Sequence, residues 1–94
     1  MDGPVPGYQT VTVEVELEPK FIVPLHSHPG IESTYVIKGE GELNVEGQPF
    51  RVVAAGEAFQ VPPGILHSVK VGEQGAKACA TYVVEKGKPL TLPA

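Results

Sequence analysis

The sequence predicts an all-β fold, and three observations carry that prediction. The chain holds 11 glycines and 10 prolines in 94 residues, close to twice their ordinary share. Either residue weakens a helix interior wherever it falls. Residues 8–18 alternate apolar and polar side chains with the two-residue period of a strand. No segment reads as a helix. At 41% hydrophobic and 19% charged the chain can bury a core, so the breakers mark tight turns and not disorder. The length fits one domain, residues 1–94, small enough that dimerisation would add stability.

The elements follow in order. Val11, Val13, Val15 and Leu17 share one strand face, and Thr10, Thr12, Glu14 and Glu16 the other, until Pro19 ends the run. Phe21 to His28 reads as the next strand, with Pro24 inside it pointing to an edge or a bulge. Pro29-Gly30 is a turn, and Ser33 to Lys38 is rich in β-formers. Gly39-Glu40-Gly41 reads as a second turn before a short strand, Glu42 to Val45. Glu46-Gly47 suits a tight hairpin whose returning arm is Phe50 to Val53. Gly56 separates that arm from Ala58 to Val61, and Pro62-Pro63-Gly64 closes the latter sharply. His67 to Val71 is a strand, Gly72 to Gly75 a loose loop, Ala76 to Glu85 the last long strand, and residues 87–94 a Lys/Pro tail. About eight strands result, and a closed barrel or jelly roll removes the exposed edges such a set would carry.

Charge narrows the partners. The net charge is −4 with no basic cluster, so nucleic acid is excluded as a natural ligand. The alternating Glu14, Glu16 and Glu18 describe the wet face of a strand. The single cysteine, Cys79, permits no intrachain disulfide and suits a reducing compartment. No signal peptide or bilayer-spanning apolar run is visible, so the expectation is a cytoplasmic protein without membrane partners.

The three histidines carry the chemistry. His26 and His28 stand two apart on a predicted strand, so their rings share a face with Cα atoms roughly 6.6 Å apart. Two imidazoles at that separation can lean toward one ion at bond lengths of about 2.1 Å. Glu32 follows the Pro29-Gly30 turn, which can fold its carboxylate back to the same point. His67 arrives from a distant segment just past the Pro62-Pro63-Gly64 corner. Three imidazoles and a carboxylate suit iron, manganese, nickel, cobalt, copper or zinc, and not a calcium cage of oxygen ligands. The pair His26 and His28 taken by itself is weak support.

The wider pattern is specific. His26-Ser27-His28-Pro29-Gly30-Ile31-Glu32 through Gly39 resembles the first motif of the cupin family, over about residues 20–39. Gly56 through Pro62-Pro63-Gly64-Ile65-Leu66-His67 resembles the second, over about residues 56–71. All three histidines fall on ligand positions of that family. Two departures accompany the match: Lys20 stands where the first motif usually opens with Gly, and Val71 where the second usually closes with Asn. Both lie outside the ligand set and are read as changes of turn and packing.

The resemblance implies a cupin-type jelly-roll β-barrel holding one divalent transition metal ion on His26, His28, Glu32 and His67. Four protein ligands on an octahedral ion leave two adjacent positions for water, oxygen or a small-molecule substrate. One carboxylate against a divalent ion leaves a local positive charge, which favours an anionic or enolisable molecule. Oxygenase chemistry is the commonest expectation for the family, with isomerase, lyase or cyclase chemistry behind it. Glu32 has a second role open to it as general base, should it release the metal. The alternative is a non-catalytic metal- or ligand-binding module, and a structural barrel without a site ranks last. Thr34 and Val36 should face the ligand side, and Phe21, Tyr35, Phe50, Phe59 and Tyr82 are candidate walls or core. Cys79, between two alanines, reads as a small buried hydrophobe, and Ser68 points away from His67. The long first strand offers an edge for a homodimer.

Overall fold

The alternating valines of the amino-terminal segment form strand β1 (Tyr8–Leu17), as the period requires. In the computed structural model, residues 6–87 and 91–93 are described, and every regular element is a strand. These are β2 (Ile22–Ser27), β3 (Ile31–Val45), β4 (Arg51–Ala54), β5 (Ala58–Val61), β6 (His67–Glu85) and β7 (Leu92–Pro93). No helix among the described residues is long and apolar enough to cross a membrane.

Two long strands organise the molecule. β3 pairs antiparallel with β6 along almost its whole length, from Ile31 opposite Val83 to Val45 opposite His67. The first half of β3 also pairs with β5, and its second half with β4. β6 takes β2 along its first half and β1 along its second. The result is two half-sheets sharing the bent strands β3 and β6, their inner faces lining one interior. The sheet is not closed by hydrogen bonds; the chain achieves the jelly-roll enclosure by folding this sheet over.

Three sequence expectations change here. Gly39-Glu40-Gly41 does not end a strand but bends β3, with register shifts on both sides of Gly39. The Gly72–Gly75 loop is likewise an irregularity inside a continuous β6. Gly39 and Gly75 adopt φ of 77° and 75°, and they touch: a Cβ on Gly39 would overlap the Gly75 carbonyl oxygen. Positive φ reads as a turn in a sequence, yet within a ladder it makes a bulge that sharpens the bend. The two fusions turn the expected eight strands into six, and the tail supplies a seventh among the described residues. The third change is in the tail, where Leu92–Pro93 pairs with Ser27 and His26.

Other readings hold, except that Cys79 is less buried than expected and three of the five candidate aromatics face outward. β5 has the predicted bounds. Pro24 sits at a register shift in β2, where a missing N–H costs no ladder bond. Val36, Leu43 and Val53 form a buried cluster with Phe59, Val45 and Val69 packed on it. Phe59 and Tyr82 line the interior, whereas Phe21, Tyr35 and Phe50 are exposed. Cys79 is only half-buried, because Ala78 and Ala80 take the inward face and the strand period turns it outward.

Lys20 has φ of 62°, the one non-glycine in the left-handed region among the described residues. Its N–H donates to the Gly72 carbonyl at 3.0 Å, tying the β1–β2 corner to β6. This explains the glycine usual at that point of the motif: the corner itself demands positive φ.

Candidate metal centre

Four side chains converge at one end of the interior. One nitrogen from each of His26, His28 and His67 and one Glu32 oxygen all lie within 4.8 Å of one another. His26 stands opposite His67 in the β2–β6 ladder, and His28 lies just past the end of β2. Glu32 enters from the start of β3, opposite Tyr82 of β6. The turn between His28 and Glu32 packs tightly on β6, since a Cβ on Gly30 would overlap the Val83 carbonyl oxygen. The two motifs are joined by backbone as well, the Gly64 N–H donating to the His28 carbonyl at 2.9 Å.

Each ring is oriented from behind. Nδ1 of His26 lies 2.6 Å from the Pro24 carbonyl, and Nδ1 of His67 lies 3.0 Å from the Ile65 carbonyl. A carbonyl oxygen only accepts, so both Nδ1 atoms carry the proton and both Nε2 lone pairs turn inward. Nδ1 of His28 faces the Thr91 hydroxyl at 3.3 Å. Backing partners of this kind fix the tautomer and orientation of metal-binding histidines. Glu32 is held in the same way: its Oε2 accepts from the Thr34 hydroxyl at 2.6 Å, and Oε1 lies 2.9 Å from His28 Nε2 and 3.0 Å from His67 Nε2.

The electrostatics agree with this geometry. Burial opposes ionisation of Glu32, but contacts from His28, His67 and Thr34 outweigh it and hold the carboxyl well below its usual range. Burial likewise pulls His67 down, yet the protonated ring can donate to both Glu32 and the Ile65 carbonyl, which leaves its pKa raised. His26 is lowered, foremost by burial and then by the neighbouring imidazoles, despite its bond to Pro24. Tyr82, whose ring lies 4.7 Å from that of His28, is pushed up to about 12 by burial and by Glu32. The donor set therefore fits a transition metal: ionised carboxylate, fixed tautomers, and nitrogens facing one point.

The site opens on a cavity of about 230 Å³ between the half-sheets. Thr34 and Val36 face it, as strand alternation from Glu32 requires. Sequence reasoning singled out the four side chains that converge here but not the groups behind them. The carbonyls of Pro24 and Ile65 each lie two residues before a histidine, and that local spacing, next to Pro24 and the Pro62-Pro63-Gly64 corner, was the signal available. Thr91, in the tail, left no signal at all.

Comparison with known proteins places this arrangement. Residues 13–85 match the model of the cupin domain. The germin-like proteins 3-7 and 3-8 of Oryza sativa subsp. japonica are 35% and 34% identical over 85 and 86 residues. Those alignments cover 85% and 82% of this chain but only 36% and 38% of the relatives. Among solved structures, oxalate decarboxylase of Bacillus subtilis superposes with a TM-score of 0.81 at 24% identity, over 89% of this chain and 23% of that one. The DMSP lyase DddQ of Ruegeria pomeroyi superposes with a TM-score of 0.77 at 20% identity, over 94% and 43%. At such identities the structures speak for the fold alone, whereas the match over residues 13–85 settles descent: the chain belongs to the cupin family.

Proposed function

We propose that this chain is a metal-dependent cupin that binds one divalent transition metal ion through His26, His28, Glu32 and His67 and acts on a small organic molecule. The observation that carries the reading is the convergence of those four donors within 4.8 Å at a cavity. A bound metal would supply Lewis-acid or redox chemistry there. The residues of the chain do the rest: the backed histidines keep Nε2 inward, Thr34 holds one oxygen of Glu32, and the apolar walls limit water. Oxygenase-type turnover of an enolisable or anionic molecule is the first expectation. Lyase-type turnover is the second, supported by the lyase and decarboxylase that share the fold. Manganese is one candidate ion, since oxalate decarboxylase of Bacillus subtilis has Mn(II) centres. Glu32 serves first as ligand, a reading supported by its lowered pKa, which keeps the carboxylate ionised; if released, it would accept a proton. A homodimer and a cytoplasmic location belong to the same proposal, resting on the length of β1, which among the described residues pairs with β6, and on the single cysteine.

Metal analysis of purified and reconstituted protein tests the core of this. One ion per chain is expected, lost in His28→Ala and His67→Ala with the β-sheet circular dichroism retained. Absence of any stoichiometric metal would overturn the assignment. Oxygen uptake by iron- or manganese-loaded protein across diketones and phenols then separates oxygenase-type turnover from a binding module or a lyase.

A further inference from the structure

The cavity is chemically one-sided. Its polar lining residues, His26, Glu32, Thr34, His67 and Tyr82, belong to the segments that assemble the donor cluster. Toward the bend the lining is Val36, Leu43, Val71, Ala76 and Ala78, with no hydrogen-bonding side chain. No lysine or arginine lines it among the described residues. Nearby cations point elsewhere: Lys77 pairs with Glu14 at 3.2 Å on the outer face, and Lys70 is exposed.

From this we infer that the site takes a compact molecule with a single anionic or chelating head and a hydrocarbon body, and discriminates against dianions. The inference rests on the metal reading above for the head and on the cavity alone for the body. A carboxylate among valines and alanines, without a cationic partner or hydrogen-bond donor, would lose its hydration uncompensated. A hydrocarbon body loses nothing there and gains by leaving water. Size follows from volume. A dry apolar cavity of about 150 Å³ accommodates benzene. By proportion, the 230 Å³ here would accommodate about nine non-hydrogen atoms. Only the head meets polar groups; orientation is thereby fixed, head on the donor cluster and body toward the Gly39 bend.

Calorimetric titration of manganese-loaded protein with straight-chain monocarboxylates, from acetate to decanoate, tests this. Affinity should rise about fourfold per methylene up to a chain of about eight to ten non-hydrogen atoms, then stop rising. Succinate should bind at least about a hundredfold more weakly than butyrate, its equal in carbon count. Ala78→Val, which narrows the apolar end, should move the optimum to a shorter chain while metal content stays at the wild-type level. If that variant does not fold, the wild-type series decides. Toluene should raise the melting temperature of the metal-free protein, which tests the cavity independently of any metal. Affinity independent of chain length, or succinate equal to butyrate, would overturn the inference while leaving metal binding intact. Loss of metal binding with the toluene shift retained would instead sink the metal reading and keep the cavity.

Discussion

Replacing Gly39 with alanine should cost far more than replacing Gly47, although both residues have the same kind of backbone. Gly39 has φ of 77° and Gly47 has φ of 82°, so an alanine pays left-handed strain of about 1–2 kcal/mol at either position. The stiffer unfolded chain returns about 0.4–1 kcal/mol of that in both variants. The surroundings differ. Nothing lies within 4 Å of a Cβ at Gly47, whereas at Gly39 the Cβ would overlap the Gly75 carbonyl oxygen and lie 2.9 Å from the Ala76 Cα. Separating those backbones adds an overpacking cost of about 1–3 kcal/mol. Gly47→Ala should therefore destabilise by about 1 kcal/mol and Gly39→Ala by about 2–4 kcal/mol. Urea denaturation of metal-free protein reads both directly, because no bound ion then adds its own stabilisation. At this chain length the gap between the variants corresponds to at least about 4 °C in melting temperature. Equal midpoints for the two would refute the close approach of β3 and β6 at the bend.

Three further outcomes are expected. Thr34→Val removes the bond that holds Glu32 Oε2, and metal affinity by competition with a chelator should fall about 10- to 100-fold with little change in fold; unchanged affinity would show that Thr34 only packs. Lys20→Gly relieves positive φ at a corner and should raise the urea midpoint by the equivalent of about 0.5–1 kcal/mol; a lower midpoint would mean the lysine side chain itself stabilises the corner. Acidity should act on metal binding through His67 first. Its pKa is raised, so it retains a proton to higher pH than an ordinary histidine, and affinity should already decline as pH falls toward 6.5. One proton is released per ion there, with a steeper slope at lower pH as His26, whose pKa is lowered, joins. Glu32 is depressed and adds nothing to this slope above its ordinary range; affinity flat between pH 8 and 6 would contradict the histidine set.

The sequence announced the donors more clearly than the sheet that assembles them. β1 was legible because its side chains alternate up to Pro19, and β5 because Gly56 and the Pro62-Pro63-Gly64 corner bound it. The continuity of β3 and β6 was hidden, since Gly39 and Gly75 carry the same positive φ whether they end a strand or bulge it. Aromatic facing was hidden for a related reason. A register shift such as the one between Val23 and His26 exchanges inside for outside, so Phe21 and Phe50 could not be told from Phe59 and Tyr82. His26, His28, Glu32 and His67 escaped this problem because motif spacing identified them without any need to know the register.

That hidden bend is what makes the site. In the β3–β6 ladder Glu32 stands opposite Tyr82, while His67 stands opposite Val45. Val45 lies thirteen residue steps beyond Glu32 along β3, which in a flat strand is about 43 Å. Yet Glu32 Oε1 and His67 Nε2 are 3.0 Å apart. The distance closes because β3 and β6 double back together near Gly39 and Gly75, bringing the ends of one ladder face to face. A perturbation at the bend therefore reaches the far end of the cavity through rigid ladders. Gly39→Ala should lower metal affinity as well as stability, although Gly39 touches none of the four donors. Gly47→Ala, in the β3–β4 hairpin, should leave that affinity unchanged. If Gly39→Ala folds and binds metal as tightly as the wild type, the donors are held by the local contacts of Pro24, Ile65 and Thr34 alone, and the bend serves the fold without tuning the site.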